Sequence, residues 1–219
     1  MMHPDTNLKW VNDEIGFGVF ATRFIPKGTA VYVRDALEVK VERNAALLKN
    51  PAYQEIITKY SYVDAKGDYI LSWDHARFVN HCCFPSSITT GYGFEIAIRD
   101  IAEGDEITDD YGLLNIEEDI PLACSKPGCR MVARAGDFDQ NVERWDRIVK
   151  DALSHFYLYD QPLLKYLDQS TLQHLNQYLE KGKPYLSVAT QKFDLNEHES
   201  DLLFLRDRKV GSAGMERSE

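Results

Sequence analysis

Four consecutive residues able to hydrogen-bond or bind metal, Asn80, His81, Cys82 and Cys83, follow the apolar pair Phe78-Val79 and precede Phe84-Pro85. Pro85 has no amide hydrogen and a fixed φ, so the chain must leave regular pairing there. What remains is a short strand end finished in side chains suited to ligation or hydrogen bonding. Taken alone the segment has two readings: a site, or a strand cap whose cysteines pack as small hydrophobes.

The surroundings are a series of short strands. Trp10-Val11 and Ile15 to Phe20 read as two strands around a turn, with Gly16 and Gly18 where the backbone must bend or admit a close approach. Pro26-Lys27-Gly28 is a turn, and the β-branched and aromatic run Thr29 to Val33 is the next strand. Between Glu42 and Tyr62 the apolar residues recur at three- and four-residue steps, broken at Asn50-Pro51, which predicts one short and one longer helix. Tyr69 to Ser72 and Phe94 to Arg99 return to strand character. From Asp139 onward the period is helical: Val142, Trp145, Ile148, Val149, Phe156 and Tyr157 form one stripe, Leu172, Leu175 and Leu179 another before Gly182, and Glu197 to Leu205 a weaker third. A helical appendage of this size is too small to stand alone and is expected to pack on the strands.

Three ordered blocks, Gly16-Phe17-Gly18-Val19-Phe20-Ala21, Arg77 to Pro85, and Glu106-Ile107-Thr108-Asp109-Asp110-Tyr111-Gly112, together resemble the SET-domain family of protein lysine methyltransferases. The resemblance runs from about Lys9 to Arg130. It implies a mainly β fold of small sheets with a knot-like substructure, joined here to an α-helical C-terminal extension. The corresponding division is a SET domain over 1–113 with a helical insert at about 42–62, a post-SET-like segment over 114–135, the helical extension over 136–208 and a mobile tail over 209–219.

The family's methyl donor is S-adenosylmethionine, and the resemblance assigns Gly16, Phe17, Gly18, Asn80 and His81 to its pocket. It makes Tyr111 the catalytic tyrosine and lines the substrate channel with Tyr32, Asp109 and Phe94. Tyr53, Tyr60 and Tyr62 belong to the variable insert; they either face peptide or, for at least two of them, pack inward. Arg77 is expected to bridge two blocks through an acid, with Glu106 as partner for it or for His81.

The chain departs from the family pattern at three places. An aromatic residue normally stands two before the tyrosine, where this chain has Asp109. A carboxylate in the channel would hold the lysine as ammonium, so Asp109 is expected to face away from the channel or toward water. A Glu-Tyr-x-Gly segment is missing, and Tyr32 stands in as an aromatic wall. In the cysteine segment that binds zinc in many members, Leu122 replaces the first cysteine, which leaves Cys83, Cys124 and Cys129 as three matched thiols, either zinc ligands or buried or paired thiols.

The net charge of −10 argues against direct nucleic-acid binding and suits a basic protein partner. Asp100 to Asp119 holds nine acids and no Lys or Arg, either a solvated face or a rim that attracts a basic tail. No apolar run reaches the length of a membrane span, no signal-type N-terminus is present, and four cysteines do not make a secreted disulfide framework. The expected location is cytoplasmic or nuclear; in a bacterial owner it is cytoplasmic, or in a host reached without a cleaved signal. The expected function is donor-dependent methylation of lysine in a basic protein, with histone tails, and hence chromatin regulation, first among the targets. The alternatives are a non-histone basic protein and a degenerate SET module that binds peptide without transferring methyl groups.

Overall fold

Gly16 turns the first two strands back on one another by adopting a positive φ of 82°, a conformation that a side chain disfavours. Asn12 supports the turn by accepting the amides of Glu14 and Ile15 at 3.0 and 2.8 Å. In the computed structural model, which describes residues 1–124 and 126–193, these strands are β1 (Thr6–Asn12) and β2 (Gly16–Ala21). The chain continues through β3 (Ala30–Val33), β4 (Val39–Val41), a short 3-10 turn at Ala46–Lys49, α1 (Pro51–Tyr60), β5 (Ser61–Val63) and β6 (Tyr69–Leu71). Then follow β7 (Asn80–His81), β8 (Ser87–Thr89), β9 (Phe94–Ala97), β10 (Glu106–Asp109), β11 (Ile120–Pro121) and β12 (Val132–Ala133), and finally α2 (Asp137–Leu153) and α3 (Gln169–Lys181).

Among the described residues four small sheets result. One has the order β1-β2-β10-β7, one β3-β9-β8, one β4-β6-β5, and β11 pairs with β12. β10 divides its hydrogen bonding between two partners. Glu106 and Ile107 oppose Phe20 and Val19 antiparallel, while Thr108 and Asp109 run parallel to Asn80 and His81. Val19, Ile25, Val31, Ile101 and Ile107 form the core beneath this junction. The two helical pieces expected in the insert are the 3-10 turn and α1, whose start is set by Pro51 at the first turn and by the Asn50 side chain capping the Ala52 amide.

The helical extension packs on the strands as expected. Phe138, Trp145, Val149 and Ala152 recur on one face of α2 and meet Ala30, Val33, Phe94 and Ile96 from β3 and β9 in a second core. α3 begins at an Asp168 cap that accepts the Thr171 amide at 2.9 Å and ends at Gly182 with φ 61°. After it, Asp146 on α2 accepts the Tyr185 and Ser187 hydroxyls and the Val188 amide at 3.0, 2.7 and 2.9 Å, which binds the returning chain to the helix. The helix expected over Glu197 to Leu205 and the tail expected over 209–219 lie outside the described residues. Among the described residues no helix is long and apolar enough to cross a membrane.

Candidate active site

A groove of about 540 Å³ opens between the small sheets, with Tyr32, Tyr60, Tyr62, Glu95, Asp109 and Tyr111 among its walls and the exposed Glu117, Glu118 and Asp119 also lining it. The acidic run is therefore split. Its last three acids are the solvated edge of the groove, whereas Asp109 and Asp110 are buried, at 2% and 1% exposure. Asp110 is paired with the Arg130 guanidinium.

Tyr111 sits at the end of β10, where the parallel pairing with β7 fixes both of its polar groups. Its hydroxyl donates to the Val79 carbonyl at 3.0 Å, and its amide donates to His81 Nδ1 at 3.1 Å. Burial, with the nearby charges of Asp109, Glu106 and Glu95, pushes the phenol above its ordinary pKa, so it is held as a protonated donor. Burial also takes His81 down to about 4, and the neutral ring that accepts at Nδ1 has its Nε2 3.3 Å from Cys83 Sγ. The His81 side chain thus orients the tyrosine backbone.

Asn80, the residue before it, reaches the other way. Its amide nitrogen donates to Glu106 Oε1 at 2.8 Å and to the Phe17 carbonyl at 3.1 Å, so the β1–β2 turn is tied to β10 through one side chain. A Cβ on Gly18 would lie 2.5 Å from Glu106 Oε1 and 2.9 Å from Asn80 Nδ2, so only glycine permits this contact. At Gly16, by contrast, a Cβ would meet nothing within 4 Å. Phe17 packs edge-on between Trp10 and Phe78, and Phe78 in turn on Tyr60 in the groove wall. The open space at the missing Gly16 Cβ, the Phe17 carbonyl and the edge-packed rings of Trp10, Phe17 and Phe78 lie together at this turn, chemistry that the amino-acid end and flat base of S-adenosylmethionine can use.

Several expectations need correction. Asp109 does not face water: β7 pairs alongside it, and it is buried in the groove wall. Phe94 does not line the groove, because alternate residues of β9 face opposite ways. Phe94 and Ile96 enter the core beneath α2, and Glu95 between them faces the groove. Arg77 bridges no acid among the described residues; it donates to the Ser72 and Trp73 carbonyls, both at 3.2 Å, and stacks over Phe78. Glu106 is the partner of Asn80 rather than of Arg77 or His81. Tyr53 is half exposed and outside the groove, whereas Tyr60 and Tyr62 line it. Tyr32 lines the groove, its hydroxyl held by Glu38 at 2.9 Å and near Ser72 at 3.2 Å. The residue that sequence reasoning missed is Glu95. An acid between Phe94 and Ile96 in an otherwise apolar strand was the available signal.

The sulfur atoms of Cys83, Cys124 and Cys129 lie within 4.8 Å of one another. Three thiolates around a tetrahedral zinc at about 2.3 Å stand roughly 3.8 Å apart, so the trio fits three ligand positions. The fourth is not supplied by Leu122, which packs beside Cys83 and Ala133 as a buried hydrophobe.

A family model described as SET domain matches residues 16–112. Histone-lysine N-methyltransferase trithorax of Drosophila melanogaster is 31% identical over 128 residues, covering 52% of this chain and 3% of its own. An H3 lysine-4 specific histone-lysine N-methyltransferase of Schizosaccharomyces pombe is 31% identical over 125 residues, covering 52% of this chain and 13% of its own. Histone-lysine N-methyltransferase set1 of Dictyostelium discoideum is 45% identical over 62 residues, 25% of this chain and 4% of its own. The chain therefore spans only a small part of these relatives. A solved Plasmodium falciparum chain overlaps 50% of this one and 95% of itself at TM-score 0.36 and 18% identity, too loose a likeness to add to the pairing described above.

Proposed function

We propose that this protein, whose residues 16–112 match the SET domain model, methylates lysine side chains of a basic protein, with histone tails first among the targets. The observation that carries the reading is the double pairing of β10, which draws the Gly16–Gly18 turn, Asn80 and Tyr111 to one junction. S-adenosylmethionine supplies the methyl group when bound, and Gly16, Phe17, Gly18, Asn80 and the His81 backbone would hold it.

The chain's own task is positioning. Tyr111 offers a protonated hydroxyl at the groove floor, its direction set by Val79 and its backbone by His81. Tyr32, Tyr60 and Tyr62 form walls that exclude water from the entering side chain and disfavour its ammonium form. Glu118 and Asp119 supply negative charge that draws a Lys/Arg-rich tail toward the groove. Cys83, Cys124 and Cys129 would hold a zinc ion that pins the 122–133 segment beside Tyr111, with whose ring they share a small core. Such a protein would work where its basic targets are, in nucleus or cytoplasm.

The test is transfer of labelled methyl groups from S-adenosylmethionine onto core histones and a panel of other basic proteins, run beside Tyr111→Phe. Label that appears with the wild type and is lost with the variant supports the reading, and the labelled protein identifies the target class. Donor binding without transfer to any basic protein would instead make the chain a peptide-binding module, and absence of donor binding would refute the proposal.

A further inference from the structure

Asp109 and Glu95 face the same groove without a protein counter-ion. Asp109 Oδ1 accepts the Asp110 amide at 2.7 Å, but its Oδ2 is buried with no hydrogen-bond partner. Glu95 accepts the Ser87 hydroxyl at 3.3 Å. Among the described residues no Lys, Arg or His forms an ion pair with either carboxyl. The charged and titratable groups around them are committed elsewhere. Asp110 is held by Arg130, Glu106 by Asn80, and the Tyr111 hydroxyl by Val79. The neutral His81 ring takes the Tyr111 amide, and Tyr32 is bonded to Glu38 and Ser72. The Met1 ammonium, which acts on Glu95 from a distance, is held by Asp35 and Glu38 at 3.1 and 3.4 Å.

Ser87 links their surroundings, its hydroxyl lying 3.3 Å from Glu95 Oε2 and 3.1 Å from the carbonyl of Thr108, the residue before Asp109; with Asp109 buried in the wall that Glu95 also lines, ionising both without a cation is disfavoured. We propose that Asp109 and Glu95 share one proton and accept a second from the ammonium of the entering lysine, so that the pair is the proton acceptor of the methylation reaction. This rests on the lysine-methylating function argued above. The step is a proton transfer: an N–H bond of the ammonium breaks, an O–H bond forms at Asp109 Oδ2, and the lone pair stays on the lysine nitrogen, ready to attack.

The direction of transfer follows from enclosure. In water an ammonium beside a carboxylate stays an ion pair, but in a site closed to solvent both charged forms are disfavoured at once, and the proton moves to the carboxyl. Burial pushes Glu95 up to about 7, and burial followed by the Glu95 charge raises Asp109 well above the carboxylate range. Such a pair is matched to proton transfer near neutral pH. An aromatic residue at position 109 would be unable to take a proton.

The experiment uses the whole chain, with Asp109→Asn and Glu95→Gln compared with wild type. Carbon-13 carboxyl titration of the free protein reads the shared proton without substrate, and is expected to show one carboxyl of the pair still protonated at pH 7. Glu95→Gln should then lower the Asp109 pKa by removing the Glu95 charge, while burial keeps it above the ordinary range. In methyl transfer, either variant should lower kcat by about a hundredfold with a much smaller change in KM, and the rise of rate with pH should move to more alkaline values. Two carboxyls ionised below pH 5, or variants with wild-type kcat and pH profile, in a protein that does methylate lysine, overturn this inference alone. A wild type that methylates no lysine at any pH overturns the underlying function, and the acceptor role with it.

Discussion

Gly18→Ala should destabilise the protein by a route that can be isolated. The added methyl would lie 2.5 Å from Glu106 Oε1, 2.9 Å from Asn80 Nδ2 and 3.0 Å from Val11 Cγ2, so the carboxylate must swing away and give up its bond from Asn80. Losing a hydrogen bond to a charged group costs about 1.5–3 kcal/mol, and residual crowding adds about 1. With an m-value of about 2 kcal/mol/M, the urea midpoint should fall by about 1–2 M at unchanged slope. In a Glu106→Ala background the bond is already gone and the nearest obstacle removed, so the same methyl should cost at least about 1.5 kcal/mol less. Gly16→Ala serves as contrast. It meets open space and costs only the backbone preference at φ 82°, about 1–2 kcal/mol, unaffected by Glu106. Calorimetric donor binding should fail with Gly18→Ala, because Asn80 no longer holds the turn. If Gly18→Ala and Glu106→Ala add within about 0.5 kcal/mol, the contact does not act as argued.

Trp145→Ala empties the center of the core between α2 and the strands and should cost about 3–5 kcal/mol, lowering a single melting transition by about 10 °C; two separate transitions would mean that the helices fold on their own. Glu95 has a folded pKa raised to about 7 from 4.5, so its favourable contribution is complete below pH 4.5 and is lost as pH rises through 7. Urea stability should accordingly decline by up to about 3 kcal/mol across that window, and Glu95→Gln should flatten the decline; an unchanged slope in the variant would show that Glu95 is not the group responsible. Added zinc should raise the melting temperature of the wild type but not of Cys83→Ser, and no response from the wild type would leave the trio as free thiols.

Local signals carried much of the fold. Gly16 and Gly18 announce the first hairpin, Asn50-Pro51 the start of α1, and Val142, Trp145 and Val149 the buried face of α2, because each depends on residues near in sequence. The partners of β10 could not be read this way. Nothing local says that Glu106 and Ile107 pair with residues 19 and 20 while Thr108 and Asp109 pair with residues 80 and 81. That undetected pairing is why Asp109 was expected to face away from the channel or toward water. Phe94 was placed in the groove because a strand's two faces differ by a single residue, and only its packing against Phe156 and Tyr92 tells which face is which. Asn80, Tyr111 and the glycine turn were recognisable from the motifs; how they are joined was not.

The two-sided pairing of β10 also sets when the site comes into being during synthesis. A nascent chain ending before Glu106 carries the glycine turn, Asn80 and His81, yet has nothing to hold them together. An isolated two-stranded hairpin is at best marginally stable in water. Four residues made later bring the earlier pieces together, and Trp145, later still, closes the second core against β3 and β9. The ribosome must therefore complete the helical extension before the proposed site can rest on a finished structure, so an early stop anywhere in α2 is expected to yield a product without the proposed methyl transfer although Gly16, Gly18 and Asn80 are all present.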